Sequence, residues 1–367
     1  MSDNVGKLIQ EQVLDAYQKQ IPLEIKGNGT KAFYGQPIKA TPLNVSGHNG
    51  IISYEPTELV ITAKAGTSLA EIESVLSSNN QQLAFEPPHF STQHNNATLG
   101  GTIACGLSGP ARANKGSVRD FVLGCEVING RGEQLNFGGQ VMKNVAGYDV
   151  SRLMCGSLGT LGVILSASLK VLPTPELETS LSFELTVDQA SKKMSQWCRK
   201  PYPITASCYH NGVLTLRLAG NEQAVKATLK NFGGETLSNS KQYWSQLKEH
   251  QLNFFNTDKN IWRLSTKEDF HFSLPDTNKT DQLTEWHGAL HWIKSNESAS
   301  IIRQQASLNG GHATLFYNKD INNKKVDIFH PLEKPLLKLH KNLKDAFDPK
   351  HILNRNKMYR LNEPANN

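Results

Sequence analysis

The sequence predicts an α+β protein of two domains, and three observations carry that prediction. At 367 residues the chain exceeds the size at which one hydrophobic core usually stops growing. Its first half sets short apolar strands and a capped amphipathic helix among turns of Gly and small residues, the order of an α/β subdomain. Beyond Pro173 and Pro175 the pattern becomes β-α-β-β-α-β, a split ferredoxin-like unit with helices on one face of an antiparallel sheet. The expected divisions are residues 1–175, a second domain at 176–330, and a C-terminal helix and tail at 331–367.

Val5, Leu8, Ile9, Val13 and Tyr17 recur at helical spacing, and Pro22 ends that first helix. Leu23-Glu24-Ile25 reads as a strand running into Gly27-Asn28-Gly29-Thr30-Lys31-Ala32. This G-x-G-x-x-A spacing fits the Rossmann fingerprint, but a Rossmann turn opens a helix and has an acid about 20 residues on to hold a ribose. Here Phe33-Tyr34-Gly35-Gln36-Pro37 cannot propagate a helix, and Gly47-His48 stand where the acid belongs. The alternative is a nest of backbone N–H groups for a pyrophosphate, with Lys31 adding charge. Leu43 to Val45, Ile51 to Tyr54 and Leu59 to Ala63 read as strands. Ser68 with Glu71 predicts a capping box ahead of the stripe Leu69, Ile72, Val75 and Leu76. Between Val118 and Leu135, Asn129-Gly130 predicts a hairpin with a type I′ turn. Asp149 caps a short helix that Gly156 stops.

In the second domain Leu181 to Leu185 reads as a strand, and Thr186 with Gln189 caps a helix carrying Ala190, Met194 and Trp197. Ile204 to Tyr209 and Val213 to Leu218 pair through His210-Asn211-Gly212. A helix around Val225 to Leu229 and a strand at Ile261 to Leu264 complete the unit, and Pro331 to Asp348 forms a last helix.

Lys and Arg number 39 against 33 acids, a net charge of +6 without a run of five like charges. That scatter excludes a nucleic-acid stripe. Cys105, Cys125, Cys155, Cys198 and Cys208 form no C-x-x-C pair and no cluster with His. This argues against zinc or an iron–sulfur cluster on this chain and for a reducing compartment. No Asp, Glu or Cys completes a ligand set with His89 and His94, which read as loop residues, so no metal site is expected. With no apolar signal core and no stretch approaching 18 apolar residues, the expectation is a cytoplasmic protein meeting a membrane only peripherally, through partners.

The rest is organised around residues 98–164. Thr98-Leu99-Gly100-Gly101-Thr102, Ser108-Gly109-Pro110, Gly116-Ser117-Val118-Arg119-Asp120 and the run from Gly156 to Ile164 are four turns of small residues within 67 positions. A backbone wrapping closely around a large flat ligand needs such turns, because Gly lets the main chain come near. Together with Lys143-Asn144-Val145-Ala146-Gly147-Tyr148-Asp149, these motifs in their fixed order resemble the FAD-binding domain of the vanillyl-alcohol oxidase (PCMH) type. Within it they resemble the FAD-binding subunits of bacterial glycolate oxidases. The resemblance implies a two-subdomain PCMH-type FAD-binding domain over roughly Leu23 to Pro173, an antiparallel-sheet cap over the flavin ring, and a return of Ile352-Leu353-Asn354 to the flavin domain. The FAD-binding candidates are Gly27, Asn28, Gly29, Thr30, Lys31, Pro88, Thr98, Gly100, Gly101, Thr102, Ser108, Gly109, Gly116, Ser117, Asp120, Gly159, Gly162, Val163 and Ile164. The pyrophosphate loop holds neither His nor Cys, so noncovalent FAD is expected, with Cys105 the one position that leaves attachment open.

Hydroxy-acid oxidases of this superfamily carry late in the cap a run like H-x-G-x-G-N-[LI]-H, whose two His bind a metal and position the substrate. The corresponding Asn309-Gly310-Gly311-His312-Ala313-Thr314-Leu315 keeps one His. The catalytic candidates are therefore His312, Arg263 and His291, with Trp286, His287 and Trp292 as further lining. The resemblance implies an electron-transfer or accessory flavoprotein in a complex that oxidises glycolate, a small 2-hydroxy acid, to glyoxylate. Its partners there are a homologous catalytic flavoprotein subunit and an iron–sulfur subunit. A self-sufficient FAD-dependent 2-hydroxy-acid dehydrogenase and a nonenzymatic assembly scaffold are the rival readings.

Overall fold

The structure is a computed structural model describing residues 2–93, 95–139, 149–269, 272, 274, 277–319 and 326–361. The Lys143 to Tyr148 motif and His94 lie outside the described residues. Two compact units form: residues 1–107, 117–173 and 331–367 make the first, and residues 108–116 and 174–330 the second.

The first unit begins with α1 (Ser2–Lys19), β1 (Leu23–Lys26) and β2 (Thr41–Asn44), and β1 and β2 pair in parallel. No helix opens in residues 27–40, as their glycines and Pro37 dictate. β3 (Ile51–Glu55), β4 (Val60–Lys64), α2 (Leu69–Ser77), β5 (Gln81–Gln82) and α3 (Leu99–Cys105) follow. After α4 (Arg112–Lys115), which belongs to the second unit, come α5 (Val118–Phe121), β6 (Val122–Ile128), β7 (Gln134–Gly138), α6 (Val150–Met154), β8 (Val163–Lys170) and β9 (Leu172–Pro173). The main sheet has the order β3-β4-β8-β6-β7, antiparallel throughout. Central β8 buries all but its last residue, because helices cover both faces of this sheet. Leu69, Ile72 and Leu76 of α2 and Leu99 and Ile103 of α3 pack with Ile164 and Leu169. Ile9, Val13 and Ala16 of α1 pack with Val163 and Leu165 on the other side. Each fully buried Ile or Val there contributes about 1.5–3 kcal/mol.

Two local expectations fail here. Asn129-Gly130 make no two-residue turn, because the Asn129 side chain takes over the chain reversal. Its Oδ1 accepts the N–H groups of Arg131 at 2.9 Å and Glu133 at 3.0 Å, giving a five-residue link whose left-handed residue is Gly132, φ 79°. The hairpin expected between Val118 and Leu135 starts its first strand only at Val122, because Ser117 and Asp120 cap a short helix first: the Ser117 N–H and Oγ–H both donate to Asp120 Oδ2, at 2.8 and 2.9 Å.

The second unit runs β10 (Leu177–Glu184), α7 (Val187–Trp197), β11 (Ile204–His210), β12 (Val213–Gly220), α8 (Glu222–Phe232) and β13 (Glu235–Thr236). Its first four strands have the ferredoxin-like order β13-β10-β12-β11. Asn211 and Gly212, φ 48° and 83°, make the type I′ turn that their identities predict. The strand at Ile261 is not the closing element, as expected from sequence; β13 is, and at two residues it leaves no periodic signal. α9 (Ser240–Lys248), β14 (Ile261–Ser265), β15 (Gln282–Glu285), β16 (Leu290–Lys294), α10 (Ala299–Leu308) and β17 (His312–Tyr317) follow. They extend the sheet as β11-β15-β16-β14-β17 to eight strands. Ala190 and Met194 of α7 and Val225 of α8 pack on Leu181, Leu214, Leu216 and Leu218, while Ile302 and Ala306 of α10 pack on Leu264, Ile293, Ala313 and Leu315. Last, α11 (Lys334–Phe347) belongs to the first unit, and Leu353 bridges Leu23 of β1 in parallel.

Candidate cofactor site

A cleft in the first unit holds about 940 Å³ of space between atoms, part of it open solvent. Gly27, Asn28, Gly29, Thr30 and Lys31 line it from the loop after β1, Thr98, Gly100 and Gly101 from the start of α3, and Gly159, Gly162 and Ile164 from the approach to β8. The backbones meet closely. A Cβ on Gly27 would stand 2.6 Å from Thr98 Oγ1, and one on Gly100 2.7 Å from the Ala65 Cβ. Gly29, φ 74°, faces open space, a backbone conformation that strains an L side chain. Thr98 caps α3, its Oγ1 accepting the Gly101 N–H at 3.3 Å.

Charge and apolar surface share this cleft. Buried Lys31 donates from Nζ to the His89 carbonyl at 3.3 Å and lies 5.8 Å from the Phe90 ring centre. Lys357 joins the lining, and burial pulls its ammonium below the ordinary range, with Glu24 opposing. Burial pushes the Cys105 thiol up, with Lys31 and Lys357 pulling the other way. Asn354 ties the returning chain to both walls. Its Oδ1 accepts the Ile25 N–H at 2.8 Å, and its Nδ2 donates to the Leu158 carbonyl at 2.6 Å. Ile25, Ala32, Tyr34, Val45, Ala104 and Leu158 supply apolar wall. Apolar walls for flat rings, glycine turns and ammonium groups for a diphosphate together fit FAD.

Residues 7–138 match the family described as FAD binding domain. Over 350 residues the chain is 45% identical to glycolate oxidase subunit GlcE of Escherichia coli K12, covering 95% of this chain and 96% of that one. The chain belongs to the GlcE family of glycolate oxidase subunits. Glycolate oxidase subunit GlcD of Bacillus subtilis is 31% identical over 48% of this chain and 38% of its own length. The D-lactate dehydrogenase of Archaeoglobus fulgidus is 31% identical over 52% and 42%. A solved alkyldihydroxyacetonephosphate synthase shares the fold, with TM-score 0.65 and 14% identity over 95% of this chain and 75% of that one. As a GlcE-family member the chain is an FAD-binding oxidoreductase of the subunit type, built to act with partner subunits. No helix among the described residues is long and apolar enough to cross a membrane.

The remaining candidates of this GlcE-family chain lie elsewhere. Pro88 is buried outside the cleft lining, Thr102 is inside α3, and Val163 points into the α1 core. Ser117 and Asp120 serve the cap of α5. Ser108, Gly109 and Gly116 fall in the second unit, where Trp286 Nε1 donates to the Gly109 carbonyl at 3.2 Å and Arg112 lies 4.5 Å from the Trp286 ring centre. Burial pushes His287 down to about 4. In that neutral ring Nε2–H donates to Asn114 Oδ1 at 2.8 Å, while Nδ1 accepts from Ser207 Oγ at 3.0 Å. Trp286 and His287 are both left-handed, φ 51° and 59°, strain that the surrounding hydrogen bonds hold in place. Conversely, the cleft residues Glu24, Lys26, Asn354 and Lys357 carry no local motif that marks them as ligands.

The catalytic candidates divide: Arg263 and His312 share a face of the sheet, where burial and then the Arg263 charge pull the His312 imidazole down, while His291 does not join them. Arg263 sits opposite Trp292 and Thr314 in register, its guanidinium 5.2 Å from the Trp286 ring centre and 6.0 Å from that of Trp292. His291, one residue along from Trp292, opposes Leu264 and therefore faces the other side. There it is buried, 5.0 Å from the Phe272 ring and pushed down to about 4. His312 is exposed at the start of β17. A second histidine does stand near it, His330, but its Nδ1 accepts the Ala313 N–H at 3.2 Å and its Nε2 lies 3.3 Å from Ser307 Oγ. Among the described residues no group of three or more His, Cys, Asp or Glu is arranged to hold a metal ion. His89 has an acid beside it in space that sequence spacing hides, Glu73 Oε1 at 3.2 Å.

Proposed function

We propose that this chain is the accessory flavoprotein of a glycolate-oxidising complex, holding FAD noncovalently in the first-unit cleft and passing electrons within the assembly. The observation that carries the reading is the glycine wall, so tight that side chains on Gly27 and Gly100 would collide with Thr98 and Ala65, set beside Lys31 and Lys357. When bound, FAD supplies the electron chemistry. The backbone of Gly27 to Lys31 and of Gly100 and Gly101 holds the diphosphate, Lys31 adds charge, and Ile25, Tyr34, Leu158 and Ile164 keep water from the rings. Cys105, the cysteine at the cleft, is kept protonated by burial, which suppresses attack on the flavin and favours noncovalent binding. The partners are a homologous catalytic flavoprotein and an iron–sulfur protein, and the assembly's substrate is glycolate, oxidised to glyoxylate. The accessory role is supported by the cap: His291 faces away from Arg263, and both ring nitrogens of His330 have partners.

Purification from the native host tests this. The chain should co-elute with both partners, release its flavin on acid or heat, and be required for glycolate-dependent dye reduction. A monomeric native protein whose deletion leaves dye reduction unchanged overturns the reading. Anaerobic glycolate or D-lactate should leave the isolated chain's flavin oxidised; rapid bleaching would move the substrate site onto this chain.

A further inference from the structure

α11 carries three stripes at helical spacing. Leu337, His340, Lys344 and Phe347 turn inward and are buried or half-buried. Beside them Leu336 and Leu339 are poorly covered, 49% and 53% exposed, and that stripe ends in Leu343, which packs against the core. Among the described residues of the first unit, no other helix exposes two large apolar side chains one turn apart. The third stripe, Lys334, Lys338 and Lys341, is exposed, and none of the three enters an ion pair among the described residues. The acid that follows, Asp345, is held by His351 at 2.6 Å.

We propose that this leucine and lysine face of α11 docks a partner subunit, through an apolar groove rimmed by carboxylates on that partner. The inference rests on the reading of the chain as a member of a complex. Charge selects the occupant. A second copy packing its α11 antiparallel across a two-fold axis would set lysine stripe against lysine stripe, which like-charge repulsion opposes. A carboxylate-rimmed groove covers the leucines and pairs the lysines at once. A lipid surface would also attract the lysines, but two half-exposed leucines offer less apolar burial than one myristoyl chain, itself a marginal anchor.

The test uses the full chain expressed with its native partners, in two variants: Leu336→Glu/Leu339→Glu and Lys334→Glu/Lys338→Glu/Lys341→Glu. Both should keep wild-type far-UV circular dichroism and FAD content while partner recovery falls roughly tenfold or more, and wild-type recovery should weaken as salt rises to about 0.5 M. Partner recovery at the wild-type level in both variants overturns the proposal. So does intact recovery combined with lost sedimentation on phosphatidylserine vesicles, which would assign the face to lipid. A wild-type chain that recovers no partner refutes the subunit reading itself.

Discussion

Replacing Lys344 with Met keeps side-chain length and removes a charge that no neighbour can supply. Lys344 Nζ donates to Asp348 Oδ2 at 2.6 Å and to the carbonyls of Thr160 and Leu353 at 2.7 Å each. Asp348, fully buried, also accepts the N–H groups of Ile352 at 3.0 Å and Leu353 at 2.7 Å. Burial pulls the Lys344 ammonium down and Asp348 holds it up, so neither charge is comfortable without the other. Breaking a buried pair by removing one member costs about 3–5 kcal/mol. In a unit of about 200 residues, where 1 kcal/mol moves the midpoint by about 2–4 °C, the first unit should melt roughly 10 °C lower. Asp348→Asn should cost a similar amount by stranding the lysine. The double variant Lys344→Met/Asp348→Leu strands no charge, so its cost should fall short of the sum of the single changes. It should stay below wild type, because the Ile352 and Leu353 amides lose their acceptor. Differential scanning calorimetry reads all three. FAD affinity should fall with Lys344→Met, since the turn held by the pair leads into Asn354 and Lys357 at the cleft. A Lys344→Met midpoint within about 2 °C of wild type, a cost below 1 kcal/mol, would refute the reasoning.

Gly101→Asp places a carboxylate on the cleft wall beside the proposed diphosphate. The folded variant should lose its flavin, read as the ratio of absorbance at the flavin band to that of protein; an unchanged ratio removes that turn from the site. In the second unit, burial pushes His250 down to about 3 and His287 and His291 to about 4. An unfolded histidine takes up its proton near pH 6.5, so the stability is fully present above that pH and is lost as pH falls towards 4, by about 1.4 kcal/mol per pH unit per histidine. Unfolding free energies from urea titrations at pH 7.5 and 5 should differ by several kcal/mol, and equal values would sink this account. Trp286→Phe removes the N–H that holds the Gly109 carbonyl and should cost about 1–3 kcal/mol. It should speed limited proteolysis within residues 108–116; wild-type cleavage rates there would argue against the clamp.

Several features were legible in sequence because they are local. Gly27, Gly29, Gly100 and Gly101 announce themselves through backbone demands that no other residue meets, and those four line the cleft. The stripe Ile9 and Val13 marks the buried face of α1 for the same reason. Asn211-Gly212 and Asn129-Gly130 show the limit of local reading. Both are Asn-Gly pairs, yet only the first makes the tight turn, because in the second the Asn129 side chain bonds Arg131 and Glu133 instead.

By itself, then, the sequence determined where the backbone must turn tightly and which helix and strand faces are apolar, since both are written within a few residues. Tertiary structure decided what those turns face. Asn354 and Lys357 reach the cleft only because the chain returns after α11 to pair Leu353 with Leu23. His291 is separated from Arg263 by strand register, which depends on pairing across the sheet. His330 comes beside Ala313 because its ring nitrogen accepts the Ala313 N–H, a bond that no spacing reveals. The reason is common to all three: side-chain chemistry acts over a few ångströms in space, and chain closure alone brings residues that far apart in sequence within that reach.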